Sequence, residues 1–173
     1  MTTSKTRSSG RSARRPWLRS TVKVLLLAVV AGAMLHVAGG VRAASDRSVA
    51  GTIVSQVTAS DCTSPIGLCT AGEFRGGIQG RFEFRATSIT PSADSPATGI
   101  VFYTGDLTVH TKDGDLIVKD AGVVKSTGGD VASVSTIVGG TASLARASGS
   151  IRISGTFQAG CVDCKYEGRL AVP

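Results

Sequence analysis

The chain is short of the residues on which most hydrolytic and metal-dependent enzymes depend. Only two histidines occur, His36 and His110, and Phe, Tyr and Trp together make up 5% of the 173 residues. A Ser-His-Asp relay or a histidine metal site cannot be assembled with confidence from so few. No stretch carries an amphipathic 3.6-residue period of useful length, which argues against a helical domain. No tandem repeat or long linker divides the chain, and the longest apolar run, Val24 to Leu35, has 12 residues. That falls short of the ~18 or more expected of a membrane-spanning helix.

What surrounds that run is informative. Lys5, Arg7, Arg11, Arg14, Arg15, Arg19, Lys23 and Arg42 put eight positive charges before Ala44, with no acid among them. A basic start, a short apolar run and the Val41-Arg42-Ala43 tripeptide describe a secretory leader, with small residues at the −3 and −1 positions of a cleavage site. The expected leader is 1–43, cut after Ala43 or Ala44; an uncleaved anchor, prolonged by Ala38, Gly39 and Gly40, is the alternative. Only in that form would the chain meet a membrane. Ala13-Arg14-Arg15-Pro16-Trp17-Leu18-Arg19 looks like a twin-arginine export motif, although Ala13 stands where Ser or Thr is preferred, and general secretion stays open beside it. No cysteine near the cut allows a lipidated amino terminus. The expected destination is secreted, periplasmic or cell-envelope.

Taking the leader away reverses the charge balance. The whole chain is formally +7, but eight of its nineteen Lys and Arg belong to the leader, which leaves eleven against all twelve acids. These eleven are interspersed with acids, as in Lys112-Asp113 and Lys119-Asp120. No clustered positive surface remains for phosphates, so nucleic acid is not an expected partner.

Residues 44–173 have the length of one domain, rich in Val, Ile, Thr, Ser and Gly, and therefore all-β in expectation. Runs with alternating character are Val49 to Ala59, Ile78 to Ile89, Ile100 to Thr111, Leu116 to Val124, Val131 to Val138, Ser150 to Phe157 and Tyr166 to Val172. Asp61 to Gly77, holding Pro65, Gly67 and two cysteines, reads as a loop, and Pro91 to Thr98 as another. Asp113-Gly114 marks a hairpin. About eight strands in this length could form a sandwich or a closed barrel.

The stretch Ile137 to Phe157 separates those two. It reads as strand, kinked loop, strand: Gly139 and Gly140 admit backbone angles closed to other residues, Thr141 follows, and Gly149 opens the next run. With Ala147-Ser148-Gly149 and Tyr166-Glu167-Gly168, it resembles the signature of the allene oxide cyclase barrel and its dirigent-like relatives. Ala142 and Leu144 stand where that signature has a glycine and often an aromatic. The resemblance spans roughly Ile78 to Leu170 and implies a closed antiparallel barrel of about eight strands, preceded here by a signal helix, with Val49 to Ala59 paired to Tyr166 to Val172. Such a barrel is either filled by side chains or just wide enough for one small ligand.

Four cysteines, Cys62, Cys69, Cys161 and Cys164, are the sharpest chemical feature. In an exported domain an even count favours disulfides. Closing the implied barrel brings all four to one end. Three pairings are open, and Cys62 with Cys69 and Cys161 with Cys164 is favoured because each closes a loop already bent by Gly or Pro. A four-cysteine zinc site is the rival ligand set, but the wide Cys-x6-Cys spacing counts against it and no metal is expected. Cys161-x-x-Cys164 sits between strands rather than at a helix start, which argues against a thioredoxin-like role.

Plant members of the resembled family cyclise an unstable fatty-acid epoxide, and dirigent relatives steer radical coupling. The resemblance implies enclosure of a reactive apolar molecule without a cofactor; it assigns no catalytic residue to this chain. Glu83 and Tyr103 are candidates to line a cavity: Glu83 would enter the barrel if the Phe82 and Phe84 face packed outward, and would be a solvated charge if they packed inward. The expected function is an exported barrel binding a small apolar molecule without strong acid-base chemistry. A cyclase or isomerase acting on a lipid-like or polyketide-like substrate, and a filled structural barrel, are the alternatives.

Overall fold

A computed structural model of the protein describes residues 45–172. The expected leader, its twin-arginine motif, the signal helix and the cleavage site lie outside the described residues. Eight strands follow one another: β1 (Ser45–Thr58), β2 (Cys69–Gly76), β3 (Gly80–Pro91), β4 (Ile100–Thr111), β5 (Gly114–Lys125), β6 (Gly129–Gly140), β7 (Ser148–Phe157) and β8 (Cys164–Val172). A single helical turn, α1 (Ser95–Thr98), interrupts the β3–β4 connection, and a 3-10 turn at Ala142–Leu144 lies between β6 and β7. Each strand pairs antiparallel with the next, and β1 pairs with β8 from Ser45 opposite Val172 to Ile53 opposite Cys164, which closes the barrel.

One expected loop proves to be a strand. Asp61 to Gly77 contains β2, paired with β1 from Thr58–Cys69 to Gly51–Gly76 and with β3 from Cys69–Arg85 to Phe74–Gly80. Its inward positions, Thr70, Gly72 and Phe74, include only one large apolar side chain, so the period-two signal is too weak to stand out from the glycines and cysteines around it. What specifies β2 is the pair of neighbours on either side. Their edges leave backbone N–H and C=O groups that must be met.

The alternation of the other strands sends one set of side chains inward. On β6, Val131, Ser133, Ser135 and Ile137 are buried, while Ala132, Val134 and Thr136 are exposed. Phe82 and Phe84 also point inward, and Glu83 between them is exposed on the outside. Following the strands fixes two ends. The β2–β3, β4–β5 and β6–β7 connections lie at one end, here called the floor; the β1–β2, β3–β4, β5–β6 and β7–β8 connections lie at the other, the mouth.

The floor is packed. Val49, Ile78, Val109, Leu116, Ile137, Leu144 and Leu170 belong to one buried cluster, each contributing about 1.5 to 3 kcal/mol if fully buried. Tyr166 spans this part of the interior: its hydroxyl accepts a hydrogen bond from Ile78 N at 2.7 Å and donates one to Ile78 O at 3.0 Å, tying the β2–β3 connection to β8. Its ring fits because the opposite residue is Gly51, where an added Cβ would meet Tyr166 Cε1 and Oη at 2.7 Å.

The stretch from Gly139 to Gly149 is the plug of this floor. Thr141 N donates to Asp115 O at 2.9 Å, and Asp115 N donates to Thr141 Oγ1 at 2.8 Å, which holds the end of β6 against the start of β5. The following turn drops Leu144 and Ala147 into the core at 6% and 2% exposure. Gly149 then restarts the ladder opposite Leu170 and Ile137. These residues build the fold; they lie at the opposite end from the open part of the interior.

Candidate functional site in the barrel mouth

Above the packed floor the interior is not filled. A cavity of about 110 Å³ remains towards the mouth, with Ile53, Leu107, Val124, Val131, Ile153 and five aromatic rings among its walls. The rings are Phe74, Phe82, Phe84, Tyr103 and Phe157. Phe84 meets Tyr103 edge to face at 5.9 Å between ring centres, a favourable arrangement for two quadrupoles. A bulge in β3 between Ala86 and Ser88 changes which residues face inward, so Ile89 also reaches the cavity although Phe82 and Phe84 have the opposite parity.

The mouth is held by its sulfurs. Cys62 is bonded to Cys69 and Cys161 to Cys164, so all four cysteines lie at this end in the locally closing pairs, as the barrel topology leads one to expect. Two disulfides belong to an oxidising environment of the extracellular type. The β7–β8 connection lies along β1: Ser55 N donates to Cys161 O at 3.1 Å, Cys161 N donates to Ser55 Oγ at 2.8 Å, and Val57 N donates to Ala159 O at 2.8 Å. Cys161 is itself part of the cavity wall.

One side of this apolar space is polar. β5 places Asp120 opposite Ser135 of β6, Gly122 of β5 lies opposite Ser133, and Tyr103 of β4 lies opposite Gly122. Asp120 is 7% exposed and its Oδ1 accepts a hydrogen bond from Ser135 Oγ at 2.6 Å. Burial pushes the Asp120 carboxyl above the usual carboxylate range. Burial, and then the Asp120 charge beside it, push the Tyr103 phenol well above its ordinary value. Ser133 Oγ lies near both groups, yet is buried without a partner that meets hydrogen-bond geometry. Gly122 makes room for the cluster: a Cβ there would lie 2.8 Å from Tyr103 Cζ and 2.5 Å from Ser133 Cβ.

Chemically, a carboxyl of raised proton affinity beside a phenol and two serine hydroxyls can accept or return a proton, or grip the polar end of a guest. Of the two residues singled out from sequence, Tyr103 stands in the cavity wall and Glu83 does not; Glu83 faces outward opposite Ala71 and Thr108. The carboxylate inside the barrel is Asp120. A sequence signal for it existed. Leu116, Val118, Asp120, Gly122 and Val124 share one parity, and a lone acid on an otherwise apolar face is either mispaired or functional. His110 lies outside the cavity, exposed, with Nδ1 2.8 Å from Asp115 Oδ1 near the floor.

Comparison with family models, with curated proteins and with solved structures finds no match to this chain.

Proposed function

We propose that residues 44–173 form an exported barrel that encloses a small, largely apolar molecule in its mouth. The observation that carries this reading is the unfilled, aromatic-walled cavity above a closely packed floor. An engineered cavity of roughly 150 Å³ holds benzene, and drug-sized ligands take roughly 300 to 1,000 Å³, so about 110 Å³ has room for one ring at most and not for a whole lipid or polyketide chain. The likeness of Ile137 to Phe157 to the allene oxide cyclase and dirigent-like barrels supports enclosure as the mode of action. A thermal-shift screen of single-ring hydrophobic compounds and fatty-acid-like compounds tests it. A ligand at one hundred times its dissociation constant adds about 2.7 kcal/mol, and single rings should outperform long chains. If no compound raises the melting temperature, the barrel is a structural or interaction module instead.

The adjacent Asp120 and Tyr103 favour a second reading, a cyclase or isomerase in which Asp120 takes a proton from one atom of the guest and returns it to another. This reading requires Asp120→Asn to abolish turnover while leaving the guest bound.

The place of action is the secreted, periplasmic or cell-envelope space. The basic leader with its short apolar run supports this, together with the two disulfides. Mass spectrometry of the exported protein should find Ala44 or Ser45 at the amino terminus. A full-length chain recovered from the membrane would contradict the cleavage.

A further inference from the structure

The cavity holds an acid whose charged form its walls do not compensate. Asp120 is the one buried acid among the described residues, and each of the eleven Lys and Arg from Arg47 to Arg169 is exposed. The groups beside it, Ser135, Ser133, Tyr103 and the Ala121 backbone, are all neutral. A carboxylate withdrawn from water without a counter-charge is disfavoured, and the folded chain offers none.

The surroundings are nonetheless suited to a cation. The whole chain has eight aromatic residues, and five of them line this single cavity. Ring faces attract ammonium groups, most strongly where water is excluded. The polar pole supplies three adjacent oxygens with lone pairs to accept: the Asp120 carboxyl, Ser133 Oγ and Tyr103 Oη. A primary ammonium carries three N–H donors, whereas a hydroxyl carries one.

From this placement we infer that the guest is a small organic ammonium, a single-ring body bearing one protonated amine. The amine sits on Asp120 with Ser133 as a further acceptor, and the ring lies among the phenyl groups. The inference rests on the enclosure reading above and names its ligand class. Folding has already stripped water from Asp120, so on binding only the amine must shed its own. The attraction between the two charges in this water-excluded space, with the rings around it, offsets that cost and favours the charged guest over a neutral isostere of equal size.

Three compounds of nearly one shape provide the test: benzylamine, benzyl alcohol and toluene, each titrated into the mature protein and followed by calorimetry and thermal shift. Benzylamine should bind at least about tenfold more tightly than either neutral compound, a gap of about 1.4 kcal/mol. Asp120→Asn should remove that preference and leave toluene affinity within a fewfold of the parent's. Toluene binding as well as benzylamine would show a cavity indifferent to charge, and benzyl alcohol binding best would point to a neutral hydroxyl guest; either overturns the amine inference while the enclosure reading stands. Binding by none of the three overturns both. The ligand series on the unaltered protein decides the matter even if the variant fails to fold.

Discussion

At the scale of single residues, Asp120 and Ala142 each work against the fold, and each can be relieved. Asp120 binds its proton more tightly in the folded chain than in the unfolded one, because burial penalises its charge. Between the ordinary carboxylate range and the higher folded value, the native state holds more protons, so this group makes stability fall as pH rises through that window. Asp106 acts in the opposite sense: the hydrogen bond from Lys119, with Arg85 also donating, keeps its carboxyl below the usual range, and its contribution is lost only as pH falls. Asp120→Asn preserves an acceptor for Ser135 and removes the charge. Its melting temperature should match the parent's in acid and exceed it at neutral pH, with the difference opening above about pH 4. Thermal melts of both chains across pH check this; a difference that does not change with pH would remove Asp120 as the cause. Ala142 has φ of 48°, in the left-handed region where an L side chain crowds the following carbonyl at a cost of roughly 1 to 2 kcal/mol. Ala142→Gly should stabilise by about 0.5 to 1 kcal/mol after glycine's extra unfolded-state freedom is counted. Chemical denaturation measures it, and a destabilised variant would mean that the methyl group contributes packing the conformation does not reveal.

At the scale of elements, the strands whose inward residues are large and apolar were legible in the sequence. Leu116, Val118 and Val124 announce β5, and Val131 and Ile137 announce β6, because period-two burial is a local property of the chain. β2 was not legible, since its inward Thr70 and Gly72 bury little and its pairing is supplied from outside the segment. The turn at Gly139 to Thr141 was legible as a kink, but its task was not. That Leu144 becomes the floor plug depends on Thr141 meeting Asp115, a contact between segments 26 residues apart. The site was the least legible part. The polar pole is composed of one residue from β4, one from β5 and two from β6. Sequence parity can place Asp120, Ser133 and Ser135 inward, but only the register of three strands puts them beside Tyr103. Glu83 sits between two phenylalanines, and that alternation sends it outward once those rings fill the interior.

For the whole molecule, the division between a solid floor and a hollow mouth decides what the disulfides do. Strand pairing and the buried cluster around Tyr166 and Leu144 hold the floor without help from sulfur. The mouth holds the cavity, and both disulfides are there, closing loops with sequence separations of 7 and 3 residues. Loops that short restrict the unfolded chain by about 2 to 3 kcal/mol each if unstrained, so reduction should lower stability by about 4 to 6 kcal/mol. In a domain of this size that corresponds to a drop in melting temperature of roughly 15 °C. The reduced barrel should keep its strand signal at low temperature, because the floor is intact, while losing guest binding first, because Cys161 is in the cavity wall and its segment leans on Ser55. Thiol titration of the denatured, unreduced protein should find none, and four after reductant. Circular dichroism with and without reductant then reads the melting temperature. Four reactive thiols before reduction would contradict the bonded pairs, and an unchanged melting temperature would mean that the mouth is held by its hydrogen bonds to β1 rather than by sulfur.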